Sequence, residues 1–167
     1  MNQSSEGTGP VGRPEPQAGK AAPTTPRQDA MVALLRAAGI VQRGLEAVCA
    51  AHGVTHDQYN VLRILRGARP GGLPRYAIAD RLISRAPDVT RLLGRLERGG
   101  LVERSRAAED QRLSIARITD RGLELLLALD PQIRGVHERL GAGLDDERSA
   151  LLAELCRTVG SAAEPDA

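Results

Sequence analysis

The segment from Pro74 to Arg117, PRYAIADRLISRAPDVTRLLGRLERGGLVERSRAAEDQRLSIAR, leaves the chain few ways to fold. Pro74 and Pro87 each suit the first turn of a helix, where a missing N–H costs nothing. After Pro74, the spacing turns Ala77, Ile78 and Leu82 inward, and Ile83-Ser84-Arg85 makes a turn. After Pro87, Val89, Leu92, Leu93 and Leu96 form an apolar stripe at helical spacing. Its opposite face shows Asp88, Thr90, Arg91, Arg95 and Arg98, and Gly99-Gly100 supplies the left-handed stop. Leu101–Ser105 and Leu113–Ile118 read as strands, joined by a loop, Arg106–Arg112, long enough to project.

The charge distribution says what such a module is for. Residues 61–117 carry thirteen Arg against six Asp and Glu, a formal +7. The whole chain is only +2, because residues 1–60 balance and residues 118–167 are −5. A basic patch concentrated on one module is the footprint of a phosphate-backbone partner. Two short helices, the second basic on its outer face, followed by a hairpin, are what a winged helix-turn-helix requires.

Composition narrows the partner. There is no Phe or Trp, and the only Tyr are Tyr59 and Tyr76. Base stacking on single strands needs aromatic platforms, so the composition argues against single-stranded nucleic acid and does not count against duplex DNA, where arginine to phosphate and guanine does the main job. Cys49 and Cys156 form no CxxC pair, so neither a zinc site nor a disulfide framework is readable. No run of about 18 apolar residues suggests a membrane span, and no secretory signal is evident. A soluble cytoplasmic protein without cofactors or a membrane partner is expected. With no GxSxG, HExxH, P-loop or dinucleotide fingerprint, an enzyme is not.

The flanks are helical. Residues 1–28 hold five of the ten prolines among small polar residues and are expected to form a disordered tail. A helix should run from Asp29, as N-cap, to about Ala51, with Met31, Leu34, Leu35, Val41, Leu45 and Val48 as a stripe wide enough to face a second subunit. Gly53 ends it, and the segment 29–54 is read as an N-terminal dimerisation helix. Thr55 and Gln58 have capping-box spacing, which starts a helix to about Arg66 that buries Tyr59, Leu62 and Leu65. Gly67–Gly72 is a loop, and Leu73 beside it is a candidate for a very short strand. Residues 55–119 form the DNA-binding lobe. Thr119 caps a helix from Asp120 to about Arg139 that Pro131 should interrupt and kink. Asp145 starts a last helix with Leu151, Leu152, Leu155, Cys156 and Val159 on its apolar face. Residues 120–160 are read as C-terminal dimerisation helices and 161–167 as a flexible tail. The fold class is mainly α with a small β-hairpin wing.

Residues from about 30 to 160 resemble the multiple antibiotic resistance regulator (MarR) family of bacterial winged-helix transcription factors. Three parts carry the resemblance: Val89-Thr90-Arg91, the Leu96–Val102 junction, and Asp110-x-Arg112 followed by Thr119-x-x-Gly122. It implies a homodimer with interlocked terminal helices, each subunit presenting one winged helix to a pseudo-palindromic operator. The helix from Pro87 to Arg98 would enter the major groove, and the wing would reach the adjacent minor groove or its backbone. It also implies a repressor that leaves DNA when a small, often phenolic or aromatic acid binds between the dimer helices and the DNA-binding lobe.

On that frame the candidate DNA contacts are Arg75, Arg85, Asp88, Thr90, Arg91, Arg95, Arg106 and Arg112. Arg91 and Arg95, four apart, either reach the groove or form a solvated face paired with Asp88 and Glu97. Asp88 either accepts from cytosine N4 or favours the positive helix N-terminus. Arg112 either pairs with Asp110 to shape the wing or inserts at the minor groove. His52, His56 and His137 lack metal-ligand spacing, so no metal is expected. Cys49, near the unfavourable end of its helix, is either a buried small residue or the switch of an alternative, redox-sensing repressor. Arg36, Arg43, His52 and Tyr59 are the candidate ligand contacts.

Overall fold

A computed structural model describes residues 25–82, 88–106 and 114–162. Two long helices bracket a small winged lobe. Helix α1 spans Pro26–Ala51. Thr25, not Asp29, is its N-cap: the Thr25 hydroxyl accepts from the Gln28 N–H, and the Gln28 side chain accepts from the Thr25 N–H. Pro26 follows at the first helical position, where its fixed φ suits the turn. Asp29 therefore sits inside the first turn. Gly53, at φ +74°, takes the chain out of the helix.

Helix α2 spans His56–Gly67 and starts with the expected Thr55–Gln58 capping box. Tyr59, Val61, Leu62 and Leu65 are buried on it. A two-residue strand β1, Leu73–Pro74, leads into α3, Arg75–Ala79. Helix α3 is shorter than expected. It ends at Ala79, and a hydrogen-bonded turn still delivers Leu82 to the core. Helix α4 spans Val89–Arg98, with Val89, Leu92, Leu93 and Leu96 buried as the stripe predicts. Its first residue is Val89, with Asp88 as cap; the expected start at Pro87 lies outside the described residues.

Strand β2, Val102–Arg106, pairs antiparallel with β3, Ser114–Ile118, and β1 pairs on the other side of β3. The register places Val102 opposite Ile118 and Arg106 opposite Ser114. Arg106 is therefore the last residue of a paired strand, not part of the loop. Gly72 (φ +77°) lets the chain enter β1, since a Cβ there would lie 2.4 Å from the Ala116 carbonyl oxygen.

Helix α5 spans Asp120–Gly141 and runs through Pro131 without a break. Pro131 is exposed, so the carbonyl one turn back that loses its N–H faces the side water reaches. Buried Leu126, Leu129, Ile133 and Val136 hold the opposite face in place. Helix α6, Asp146–Ser161, is capped by Asp145 and has no buried residue at all.

One core serves α1, α2 and α5 and the winged lobe. It includes Leu45, Cys49, Leu62, Leu65, Ile78, Leu96, Val102, Leu126 and Leu129. No Phe or Trp contributes, so aliphatic interdigitation fills the space.

Candidate nucleic-acid interface

Burying four aliphatic residues of α4 fixes which way the helix turns. Thr90, Arg91, Arg95 and Arg98 are left exposed on its outer side. Asp88 is the N-cap, and its Oδ1 accepts the Arg91 N–H at 3.1 Å. Of the two roles considered for Asp88, the helix-terminal one is seen. Glu97 is also taken: Arg104 on β2 donates to its Oε2 from Nε at 2.9 Å and also from Nη2. The hydrogen bonds from Arg104 hold the Glu97 carboxyl below its usual pKa, against a weaker effect of burial. The two carboxylates nearest in sequence to Arg91 and Arg95 are thus occupied elsewhere. Among the described residues neither arginine makes an ion pair.

The Glu97–Arg104 pair also ties the wing sheet to α4. Farther out, Arg117 donates to the Ser105 hydroxyl at 2.5 Å across the β2–β3 pair. At the base, Thr119 holds three groups in register. Its hydroxyl donates to the Gly100 carbonyl at 2.7 Å and accepts the Gly122 N–H at 3.2 Å, and its own N–H donates to the Leu101 carbonyl. A Cβ on Gly122 would lie 2.4 Å from the Leu101 carbonyl oxygen. That contact is why Thr119-x-x-Gly122 needs glycine in fourth place.

Arg75 and Thr90 share a cleft of about 250 Å3 between α3, α4 and the sheet, whose wall also includes Tyr76, Arg104 and Ser114. Sequence reasoning passed over the last three. Tyr76 is 59% exposed, and its signal was a tyrosine on the polar side of a short helix otherwise committed to Ile78. Arg106 ends β2 at the wing, exposed. Arg85, Asp110 and Arg112 lie outside the described residues.

The four candidate ligand contacts lie in different settings. Arg36 and Arg43 are exposed on α1. His52 donates from Nδ1 to the Val48 carbonyl and accepts from Gln132 Nε2 at its Nε2. Tyr59 is buried, and its hydroxyl donates to Asp130 at 2.9 Å. Burial, followed by that hydrogen bond, pushes its pKa up to about 12. A groove of about 830 Å3 does open along α1, the start of α2 and α6; its wall includes Leu34, Val41, Leu45 and Leu152 together with Glu46 and Asp57. None of the four candidates lines it.

Cys49 is fully buried, and burial, reinforced by Glu46, pushes its thiol up to about 11. A thiol held protonated is a poor nucleophile. Cys156 is exposed. Among the described residues no group of His, Cys, Asp and Glu is placed to hold a metal ion, and no helix is long and apolar enough to cross a membrane.

Residues 52–113, from the end of α1 to the wing, match the model of the MarR family. The homoprotocatechuate degradative operon repressor of Escherichia coli is 28% identical over 74% of this chain and 82% of its own. The crystal structure of PcaV, a transcriptional regulator of Streptomyces coelicolor in complex with its natural ligand, is 28% identical, superposes with a TM-score of 0.67, and is covered 100% by 89% of this chain. That of a MarR transcription factor from Planctomyces limnophilus is 36% identical with a TM-score of 0.64 and is covered 97% by 82% of this chain. An exposed basic helix, a wing fastened to it and relatives of this kind agree, and the chain belongs to the MarR family of DNA-binding transcriptional regulators.

Proposed function

We propose that the chain is a homodimeric repressor that binds a pseudo-palindromic operator through α4 and the wing and leaves it when a small ligand binds. The outer face of α4 carries this reading: Thr90, Arg91 and Arg95 are exposed while the nearby carboxylates Asp88 and Glu97 are engaged. Arginine in a major groove bonds bidentately to guanine or to phosphate. Arg75, Arg106 and, beyond the described residues, Arg85 and Arg112 would position the lobe on the backbone.

A second copy is supported by α1 and α6. Leu151, Leu152, Leu155 and Val159 on α6, with Met31, Leu35 and Val41 on α1, are all more than a third exposed. Contiguous apolar faces of this kind mark an association surface. An aromatic or phenolic acid as effector draws on the relatives alone: one represses a homoprotocatechuate degradative operon and another was crystallised with its natural ligand. A redox switch at Cys49 draws no support from its burial and raised thiol pKa.

Genomic footprinting with the purified protein tests the reading. Protected half-sites about 10 base pairs apart fit a two-fold dimer. A single unpaired half-site, or no protected site, would contradict it.

A further inference from the structure

A second cavity, of about 380 Å3, opens on the outer side of α2, where that helix meets the turn after α3. Asn60, Arg63, Ile64 and Gly67 line it from one face of α2, at positions i, i+3, i+4 and i+7. Arg66 and Arg81 complete the wall. Three arginines therefore line one concavity, and among the described residues no carboxylate does.

Each arginine has a describable state. Arg66 is bonded to Asp130 of α5 at 2.5 Å. Arg63 lies over the Tyr59 ring, 5.7 Å from its centroid. Among the described residues, Arg63 and Arg81 make no ion pair. Asn60 is only 6% exposed. Like charges gathered in a concavity repel one another, and an anion relieves that repulsion. Guanidinium forks match the two oxygens of a carboxylate or phosphate. The amide of Asn60 adds a donor, and Ile64 adds a small apolar wall.

We propose that this cavity binds a small oxyanion, a carboxylate or phosphate group held by Arg63, Arg66 and Arg81, and that the anion competes with Asp130 for Arg66. The consequence for regulation rests on the reading of the chain as a ligand-responsive DNA-binding repressor. Asp130 fastens α5 to α2 through both Arg66 and Tyr59. Arg81 sits a few residues ahead of α4. An anion that loosens the first contact and engages Arg81 changes how the recognition helix is seated relative to α5. It shifts the protein away from DNA to the extent that it binds the DNA-free arrangement better.

The oxyanion has two possible sources, a free small molecule or the DNA backbone, and the test separates them. The thermal midpoint of the full chain without DNA is measured with inorganic phosphate or with benzoate, at constant ionic strength against chloride. At about a hundred times its Kd, at least one probe should raise the midpoint by about 5 °C or more. Arg81→Gln and Arg63→Gln, both at exposed positions, should abolish the rise. On a footprinted duplex the same probe should lower affinity at least about fivefold in the natural protein but not in Arg81→Gln. Probe-free affinity of that variant should stay within about twofold. No rise with either probe, or an equal rise in both variants, overturns the site. A large loss of probe-free DNA affinity in Arg81→Gln also overturns it, because Arg81 is then a backbone contact. Should the chain bind no duplex at all, the repressor reading fails while the stability arm still decides the site.

Discussion

The hydroxyl of Tyr59 on α2 donates to the carboxylate of Asp130 on α5, 2.9 Å away across 71 residues of sequence. Arg66, two turns along α2, reaches the other oxygen of the same carboxylate. Burial pushes the Asp130 carboxyl up, but the bonds from Arg66 and Tyr59 and the charges of Arg66 and Arg63 outweigh it, and its pKa lies below 3.8. Tyr59→Phe removes one hydrogen bond and should cost about 0.5–1.5 kcal/mol in urea unfolding. Because the folded pKa is depressed, the stabilisation is present above the ordinary carboxylate range and is lost as pH falls through the folded value. Asp130→Asn should therefore flatten the acid limb of the stability curve below about pH 4. An unchanged acid limb would show that Asp130 is not held by these partners.

His56 responds in the opposite range. Burial lowers its pKa below 6.5, with Arg63 and His137 adding to the effect and Asp57 and Glu46 opposing it. Between the unfolded value and the lower folded value, the unfolded chain binds more protons. Stability should then fall as pH drops through 6.5 towards the lower folded value. His56→Gln should lose that dependence while Asp130→Asn keeps it, a difference readable from thermal midpoints across pH.

Two glycines predict opposite outcomes for one substitution. Gly122→Ala places a methyl group 2.4 Å from the Leu101 carbonyl oxygen and should destabilise by about 1–3 kcal/mol. Gly94 lies inside α4 with nothing within 4 Å of a Cβ. Gly94→Ala should stabilise by about 0.5–1 kcal/mol. Gly94 shares the outer face of α4 with Arg91, Arg95 and Arg98, so the same methyl group stands between the helix and DNA. A raised midpoint with weakened duplex binding is the expected pair of results. Unchanged affinity with Gly94→Leu would place that face away from the groove.

The proposed homodimer would associate through the uncovered apolar faces. Leu152→Glu puts a charge on the apolar side of α6, where Leu152 is 47% exposed. Light scattering should show a shift from two copies to one, and operator affinity should fall with it. A monomeric natural protein would remove the reason for the exposed stripe.

Much of this was legible because it is local. The Thr55–Gln58 box, the buried stripe of α4 and the Thr119 cap are each set within eight residues, and the structure places all three where the sequence did. Thr25–Gln28 has the same spacing as Thr55–Gln58 but was absorbed into a proline-rich tail, so α1 starts earlier than expected. Helix α5 continues through Pro131, where the sequence suggested an interruption. Contacts between distant elements were not legible. Nothing near Arg104 in sequence names Glu97 as its partner over Arg91 or Arg95, and nothing near Tyr59 names Asp130. The cavity of Arg63, Arg66 and Arg81 exists only once α2 and the turn after α3 are brought together.

Arg91 and the salt dependence of binding bear most directly on the account. On the footprinted duplex, the logarithm of affinity should fall linearly with the logarithm of salt, with a slope near −0.9 for each phosphate neutralised. Arg91→Ala should cost about 1–3 kcal/mol on the operator and relax specificity at one base position. Salt-independent binding, or an Arg91→Ala variant that matches the natural protein on every sequence, would contradict a recognition role for α4.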